Sequence, residues 1–241
     1  MISPALRWSK SITSYNPIPN GCVFYAPLWN PSLSGPVFQS IDSFGHICTV
    51  TGALYKGSKL GRWFDGGGAA DDLINCGSLA SIDNIFDGGG TIAAWVNPAS
   101  EGEAGGRVLS KSKWYIHLGN EAAGKTKIYF TINWTAGATF KQWSTTDTEL
   151  TLNVPTRILI TYNSDAAANN AIIYVNGSVV VAPGSADPAG ARSDDSAFGL
   201  IVGNAVGGTN TTDGYIMEVT GWNRILTATE AAYDYAQGRY L

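Results

Sequence analysis

The chain has 241 residues, of which 29 are glycine and 8 are tryptophan, and only 14% carry a charge. Apolar residues make up 44% of the sequence, which excludes a disordered chain because there is ample material for a buried core. The 15 basic and 19 acidic side chains leave a net charge of −4, which argues against binding nucleic acid by charge. No apolar run approaches the ~18–20 residues that a membrane span needs. The length suits a single β-sandwich domain.

Cysteine and histidine are scarce. The three cysteines, Cys22, Cys48 and Cys76, have no CxxC spacing, and an odd number excludes a complete set of disulfides within one chain. His46 and Cys48 would face one side of a strand, as half of a zinc site would, but His117 is the only other histidine. Buried thiols that act as small apolar side chains fit better, so we predict no metal and no cofactor. The N-terminus lacks an apolar leader, so we expect the protein to fold in a cytoplasm.

Residues 1–20 differ in composition and periodicity from the rest of the chain. They contain prolines, serines and scattered aromatic residues without a period of 2 or 3.6, so we predict an extended N-terminal arm. Over residues 21–241, short β-rich segments are separated by turn residues about every 8–12 positions, which is typical of a sandwich or barrel. The predicted strands are 22–29, 46–53, 62–66, 72–76, 91–97, 107–112, 114–119, 127–134, 138–145, 156–163, 171–182, 199–204 and 214–224.

Two local patterns are sharper than the rest. Asn176-Gly177 separates the apolar runs IIYV and SVVV, which predicts a hairpin because both central residues of a type I′ turn need positive φ. Thr227 and Glu230 form a capping-box pattern that opens a short C-terminal helix. The segment 182–196 is interpreted as a polar loop. Together these patterns predict an all-β fold of two antiparallel sheets, since one sheet with so many aromatic residues would aggregate uncovered.

Five segments follow one another in a familiar order. They are GCVFYAPLW from residue 21, RWFDGGG from 62, TIAAWVNP from 91, IIYVNGSVV from 172 and GYIMEVTGWNRILTATE from 214. In this order they resemble the laminin-G-like group of the concanavalin-A-like lectin/glucanase superfamily. Met217 stands where that group commonly has aspartate, while Glu218 is retained. The resemblance covers residue 21 to the C-terminus and implies a jelly-roll sandwich.

The superfamily contains glucanases, so the carboxylates decide whether catalysis is expected. Its laminarinase-type members place Glu-x-Asp-x-x-Glu on one strand, which sets two carboxylates ~5 Å apart in a cleft. No glutamate here begins that motif; they are Glu101, Glu103, Glu121, Glu149, Glu218 and Glu230. Glu218 is the best lone candidate, but a structural carboxylate bonded to loop amides fits better, and His117 is interpreted as a satisfied sandwich histidine. We predict no catalytic residue and no enzyme.

Carbohydrate binding is harder to dismiss. Lectin-like sites combine an aromatic face, which stacks on a sugar ring, with a few polar groups. Trp114, Trp134 and Trp143 fall near predicted strand ends or loops, so they are candidate carbohydrate-binding residues, with sandwich core or subunit interface as the alternative. Calcium in this superfamily is held by loop aspartates. Four aspartates here form no dense acidic loop and are interpreted as solvated turn residues: Asp65, Asp71, Asp72 and Asp213.

Two classes of function remain. A leaderless jelly roll with an arm resembles proteins encoded by tailed bacterial viruses, which implies a non-enzymatic virion surface protein, either a capsid decoration (cement) protein or a turret-like subunit made in the host cytoplasm. It would contact other particle subunits, or its own copies, through a sandwich surface and the arm residues Trp8, Tyr15 and Ile18. The alternative is a lectin-like, carbohydrate-binding module on a viral tail fibre or cell surface, in contact with glycans. Neither nucleic acid nor membrane insertion is expected.

Overall fold

The structure, a computed structural model, describes residues 18–57, 59–66, 71–137 and 139–238. These residues form a sandwich of two antiparallel β-sheets with a short helix near the C-terminus. The predicted all-β, two-sheet fold is therefore confirmed. Of the predicted arm, residues 18–20 are described and residues 1–17 lie outside the described residues.

Strands occupy most of the described chain. In chain order they are β1 (Cys22–Ala26), β2 (Val37–Gln39), β3 (Ile47–Thr51), β4 (Leu54–Tyr55), β5 (Arg62–Phe64), β6 (Leu73–Asn75), β7 (Gly90–Pro98), β8 (Arg107–Ser110), β9 (Trp114–Ala122), β10 (Lys125–Ala136), β11 (Phe140–Ser144), β12 (Leu150–Thr151), β13 (Thr156–Tyr162), β14 (Ile172–Val175), β15 (Ser178–Val180), β16 (Ala189–Arg192), β17 (Ile201–Val202) and β18 (Gly214–Trp222). A 3₁₀ turn spans Pro31–Leu33, and helix α1 spans Ala228–Ala236.

The strands divide into two sheets. The first sheet has the order β15-β14-β13-β7-β18-β5-β4, with β1 paired to β18. The second has the order β11-β10-β9-β8-β17-β6-β3-β2, and β12 and β16 also pair with β10. Strand β10 is long enough, with 12 residues, to reach beyond β11 and pair with β16 near its C-terminal end. This extension matters for function because it brings β16 beside the candidate site described below.

Strand β7 shows how the sequence pattern produces the layers. Ile92, Ala94 and Val96 face the other sheet and belong to the main apolar core. Ala93 lies on the opposite face in a second apolar cluster, and Trp95 on that face is 2% exposed. A strand that is apolar on both faces must be covered on both sides, and here α1 provides the outer cover.

Helix α1 begins at the predicted capping box. The Thr227 hydroxyl accepts from the Glu230 amide at 3.2 Å, and the Glu230 carboxylate accepts from the Thr227 amide at 2.8 Å. The ring of Tyr235 stacks on Trp95 with 5.7 Å between centroids. The Asn176-Gly177 hairpin is also confirmed, with φ of 50° and 77° at its two central residues.

The prediction of a continuous polar loop over 182–196 was wrong, because β16 lies within it. Its sequence, AGAR, has no apolar alternation, so the pattern gave no sign of a strand. The backbone pairs with β10 nonetheless, through the register contacts Trp134 with Arg192 and Ala136 with Ala189. No helix in the described part of the chain is long and apolar enough to cross a membrane.

Candidate functional site

A cavity of about 430 Å³ lies where the loop before β7, the end of β13 and strand β16 meet. This volume is within the range of small-molecule sites, roughly 300–1,000 Å³. Its lining combines two acids, an arginine, a serine, a tryptophan and two small residues: Asp87, Trp134, Ser164, Asp165, Gly190, Ala191 and Arg192. The cavity is therefore polar, with one large aromatic wall.

Strand pairing sets two of these walls. Trp134 on β10 and Arg192 on β16 are register partners, with a bulge between Trp134 and Ala136. Gly190 lets β16 approach β10 closely, since it has a φ of 82° and a Cβ there would lie 2.5 Å from the Thr135 hydroxyl. A side chain at that position would push Arg192 away from Trp134.

Asp87 and Arg192 form the charged pair of the cavity. Arg192 Nε donates to Asp87 Oδ1 at 2.7 Å, and its Nη2 donates to Asp87 Oδ2 at 3.2 Å. The Ser164 hydroxyl also donates to Asp87 Oδ1, at 2.9 Å. Burial raises the pKa of Asp87, but the hydrogen bonds from Arg192 and Ser164 outweigh it, so the pKa lies below its usual value. Asp87 is thus an ionised carboxylate with a fixed orientation at neutral pH.

A buried network behind the cavity holds Arg192 in place. Its side chain is 7% exposed, and Nη1 lies 3.7 Å from Asp195 Oδ2. Asp195 Oδ1 accepts from Lys111 Nζ at 2.8 Å and from the Asn84 amide at 2.8 Å. Both Lys111 and Asp195 are fully buried, so these bonds join the loop before β7 to the segment after β16. The Arg192 wall of the cavity is therefore held in place by interactions within the protein.

The acids retain capacity for a ligand. An ionised carboxylate can accept about four hydrogen bonds. Among the described residues, Asp87 receives three and Asp165 receives one, from the Gly88 amide at 2.9 Å. Ligand hydroxyls can therefore donate to both carboxylates.

The structure places the three predicted tryptophans differently. Trp134 borders the cavity but is only 5% exposed, so it offers a wall and not an open stacking face. Trp114 and Trp143 are 1% and 0% exposed and lie in the main core, where neither presents a ring face to a sugar. Phe86 and Phe130 surround them, since Trp114 packs edge-on to Phe86 and Trp143 stacks on Phe130. For those two residues the structure favours the core interpretation.

Of the predicted interface residues, only Ile18 can be located. Trp8 and Tyr15 lie outside the described residues. Ile18 is buried in the second apolar cluster, and its carbonyl accepts from Trp222 Nε1 at 2.9 Å. Its side chain therefore packs against its own sandwich.

Glu218 is a structural carboxylate, although its partners are not the loop amides that we predicted. Its Oε2 accepts from the Tyr25 hydroxyl at 3.4 Å and from Trp29 Nε1 at 3.3 Å. Its Oε1 lies 3.4 Å from Arg157 Nη1. Burial, followed by the charge of Asp234, raises the pKa of Glu218 against the opposing effect of Arg157. Glu218 lies outside the cavity lining, so the raised pKa reflects its place under α1.

The two histidines also have clear positions. His46 Nε2 lies 3.0 Å from the Val23 carbonyl and 3.1 Å from the Ser81 hydroxyl, and Cys48 is buried. Within the described residues, no group of three or more His, Cys, Asp or Glu side chains is placed to hold a metal ion. His117 lies in the sandwich but is not the satisfied histidine that we predicted: it lies on the outer face of the second sheet, and its Nδ1 has no hydrogen-bond partner among the described residues.

Fold and cavity together define a lectin-type β-sandwich with a polar cavity at one end of the sheets. A family model described as the concanavalin A-like lectin/glucanases superfamily, laminin G type 3, matches residues 70–232. That match covers more than half of the chain, so the protein belongs to this family. No curated protein matches it in sequence.

Similar solved structures share the fold at low identity. The binding domain of botulinum neurotoxin DC, solved in complex with rat synaptotagmin II, has a TM-score of 0.65 and 11% identity over 92% of this chain and 53% of that one. The binding domain of Paraclostridial Mosquitocidal Protein 1 has a TM-score of 0.62 and 13% identity, with 90% and 52% covered. This chain therefore spans about half the length of those toxin domains.

A third structure matches over nearly its whole length. Domain 4 of AbnA, an extracellular arabinanase of Geobacillus stearothermophilus solved in complex with arabinotriose, has a TM-score of 0.58 and 16% identity over 89% of this chain and 98% of that one. At such identities the likeness shows the fold alone. Two of these proteins are described as binding domains, and the third was solved with a bound sugar.

Proposed function

We propose that this protein is a non-enzymatic, lectin-like module that binds a neutral saccharide in the cavity beside Trp134. The observation that carries the proposal is the placement of two carboxylates with spare acceptor capacity, Asp87 and Asp165, next to an aromatic wall in a preformed cavity. Sugars are recognised by this combination of apolar ring contact and a few fixed polar groups. The similar structures that bind protein receptors or a sugar support the same class of function.

The charges of the cavity favour a neutral ligand over an anionic one. Asp87 and Asp165 bring two negative charges, while the guanidinium of Arg192 is already used by Asp87 and by the Ser193 carbonyl. The two carboxylates outnumber the single guanidinium, so an anionic ligand would be repelled at close range. Hydroxyl groups, in contrast, can donate to both acids.

The same carboxylates do not suit glycoside hydrolysis. A glycosidase needs one carboxyl group whose raised pKa keeps it protonated as the general acid. Asp87 has a lowered pKa because Arg192 and Ser164 hold it ionised. Glu218, whose pKa is raised, does not line the cavity. The geometry therefore supports binding without turnover.

Titration calorimetry with neutral oligosaccharides, arabinotriose first, tests the proposal. We expect Asp165→Asn to weaken binding about tenfold, since a ligand hydroxyl loses a charged acceptor. Asp147→Asn is the matched control because Asp147 is exposed and lies outside the cavity lining. Equal affinities for the two variants, a blank panel of neutral glycans, or release of reducing sugar during incubation would contradict the proposal.

A second candidate is the virion surface role, in which the sandwich packs against particle subunits or its own copies. Its support is the apolar edge of the first sheet. Among the described strands β15 pairs only with β14, and Val179 and the adjacent Val181 are 59% and 69% exposed. An uncovered apolar edge strand is a pairing site for another chain. On this proposal the protein is located in the virion.

Sedimentation velocity tests the second candidate. We expect the parent chain to self-associate and Val179→Lys to reduce the association, while Val206→Lys, at an exposed loop position, has no effect. A deletion of residues 1–17 tests the arm and leaves Ile18 in its cluster. A parent chain that stays monomeric, or variants that associate as the parent does, would remove support for this candidate.

A further inference from the structure

The outer face of the second sheet carries a row of basic and aromatic side chains that is separate from the Trp134 cavity. Arg107 on β8, His117 on β9 and Tyr129 on β10 are register partners on three neighbouring strands. Ile116 and Phe130, the next residues along β9 and β10, point into the main core. Because side chains alternate across a strand, the row points outward.

The rings of this row pack against one another. His117 stacks on Tyr129 with 4.6 Å between centroids and 12° between planes. Tyr115 lies 5.5 Å from His117, and the Arg107 guanidinium lies 3.9 Å from the Tyr115 ring centroid. All four side chains are half-buried, so each combines a fixed position with an accessible part. We call these four residues the Arg107 row.

Among the described residues, the charge of Arg107 has no carboxylate partner. Its Nη1 donates to the Ser110 hydroxyl at 3.3 Å, and no ion pair within the described residues includes it. A half-buried cation without a counter-ion is unfavourable compared with a paired one. Stacking on Tyr115 orients the guanidinium but leaves its bidentate donor edge for an anion.

The remaining groups of the row determine where an anion fits. Burial, followed by the charge of Arg107, lowers the pKa of His117 to about 4, so its ring is uncharged at neutral pH. Burial and the charge of Glu101 raise the pKa of Tyr129 against the opposing Asn120 hydrogen bond. The row therefore has a positive end at Arg107 and a negative neighbour beside Tyr129. An anionic group is stabilised at the Arg107 end.

Gly119 makes room for the ring of Tyr129. A Cβ at Gly119 would lie 3.2 Å from Tyr129 Cε2. The missing side chain therefore lets the Tyr129 ring lie over the sheet beside His117. Thr131 and Gln142 occupy the next outward positions on β10 and β11, where the Gln142 amide donates to the Thr131 hydroxyl at 3.0 Å. Thr131 is fully buried, so of these two side chains only the part-exposed Gln142 can reach a ligand hydroxyl.

We propose that the Arg107 row is a second binding surface, whose ligand is a carboxylate-bearing sugar such as a hexuronate unit of an acidic polysaccharide. The ligand carboxylate pairs with Arg107, and its ring lies beside Tyr115 on the side of Gln142. The aromatic and hydroxyl-rich surroundings favour a saccharide over an acidic peptide. This surface is separate from the Trp134 cavity. It favours an anionic ligand, whereas the cavity favours a neutral one.

Calorimetry with trigalacturonate and with its methyl ester tests the proposal, because esterification removes the carboxylate charge and leaves the sugar rings unchanged. We expect the acid to bind at least about tenfold more tightly than the ester. Arg107→Gln is expected to remove this difference. Lys125→Gln, which changes the net charge equally at an exposed position of β10, is expected to leave it unchanged.

Several results would overturn the proposal. Equal affinity for acid and ester, absence of binding by the acid at millimolar concentration, or equal effects of Arg107→Gln and Lys125→Gln would each do so. Tighter binding of triglutamate than of trigalacturonate would assign the surface to an acidic peptide instead. Asp165→Asn separates the two sites: it should leave trigalacturonate binding intact, and a loss would place that ligand in the Trp134 cavity.

Discussion

The ion pair between Arg157 and Asp234 ties α1 to the first sheet, and its removal gives the most direct test of the packing described here. Arg157 Nε donates to Asp234 Oδ2 at 2.8 Å, and Nη2 donates to Oδ1 at 3.3 Å. The two side chains are 1% and 2% exposed. We expect Asp234→Asn to destabilise the whole sandwich, because the variant leaves a buried guanidinium with a weaker partner.

The size of the expected loss in unfolding free energy depends on the partners that Arg157 keeps in the variant. Removing one partner of a buried ion pair costs about 3–5 kcal/mol. The asparagine keeps the volume and one acceptor oxygen, and Glu218 Oε1 still lies 3.4 Å from Arg157 Nη1. The loss of unfolding free energy should therefore be at the lower end, about 3 kcal/mol. For a domain of this size that corresponds to a fall in Tm of about 6–12 °C.

Thermal unfolding followed by circular dichroism, with urea titration for the free energy, measures the effect. Glu230→Gln is the control on the same helix, because the Arg224–Glu230 pair is about one-third exposed and glutamine still completes the capping box. We expect it to cost less than about 1 kcal/mol. Equal losses for Asp234→Asn and Glu230→Gln would refute the reasoning that the buried pair holds α1.

Three further predictions concern single residues. The imidazole of His117 should titrate near pH 4 by NMR, with stability lost as pH falls from about 6.5 towards that value; a midpoint above pH 6 would contradict its burial beside Arg107. Gly177→Ala should cost about 1–3 kcal/mol, since φ is 77° and a Cβ would lie 3.0 Å from Ala232 Cα. Gly124→Ala, with φ of 73° and open space around it, should cost less in the same urea titration. Burial raises the pKa of the Cys22 thiol to about 12, so iodoacetamide at pH 8 should alkylate it rapidly only when urea unfolds the protein. Mass spectrometry measures the alkylation, and rapid alkylation of the native protein would place the thiol nearer the surface.

Most of the fold could be predicted because its strands alternate clearly or contain strong turn chemistry. Strand β7 is apolar on both faces, and the structure places it between β13 and β18 with α1 outside. The Asn176-Gly177 turn and the capping box at Thr227 rest on local backbone requirements, which act without knowledge of the tertiary structure. Strands without alternation were missed, as β16 was, because only pairing with β10 makes them strands.

Most of the candidate site could not be predicted from the sequence, because its residues come together only through tertiary contacts. Trp134 was singled out as an aromatic residue near a turn, but Asp87 and Arg192 are 105 positions apart and meet only through the folded loops. Arg192 belongs to the strand that was interpreted as a loop. The one arginine and three aspartates within the polar segment 182–196 are the signal that would have directed attention to it. Burial of Trp114 and Trp143 depends on which face of each strand meets the other sheet, and spacing near a strand end does not reveal that.

The way in which this chain pairs its few buried basic side chains helps to interpret Arg107. Within the described residues four basic side chains are buried, and each bonds to carboxylate or carbonyl oxygens: Arg62, Lys111, Lys141 and Arg157. This sandwich therefore uses buried cations as cross-links between loops and strands, and it supplies each with oxygen acceptors. Among the described residues, the half-buried Arg107 side chain has only a hydroxyl and a ring face as its contacts. Because the fold gives its buried cations oxygen acceptors, a cation held on an aromatic surface without a carboxylate or carbonyl partner is better explained by an external anion than by packing.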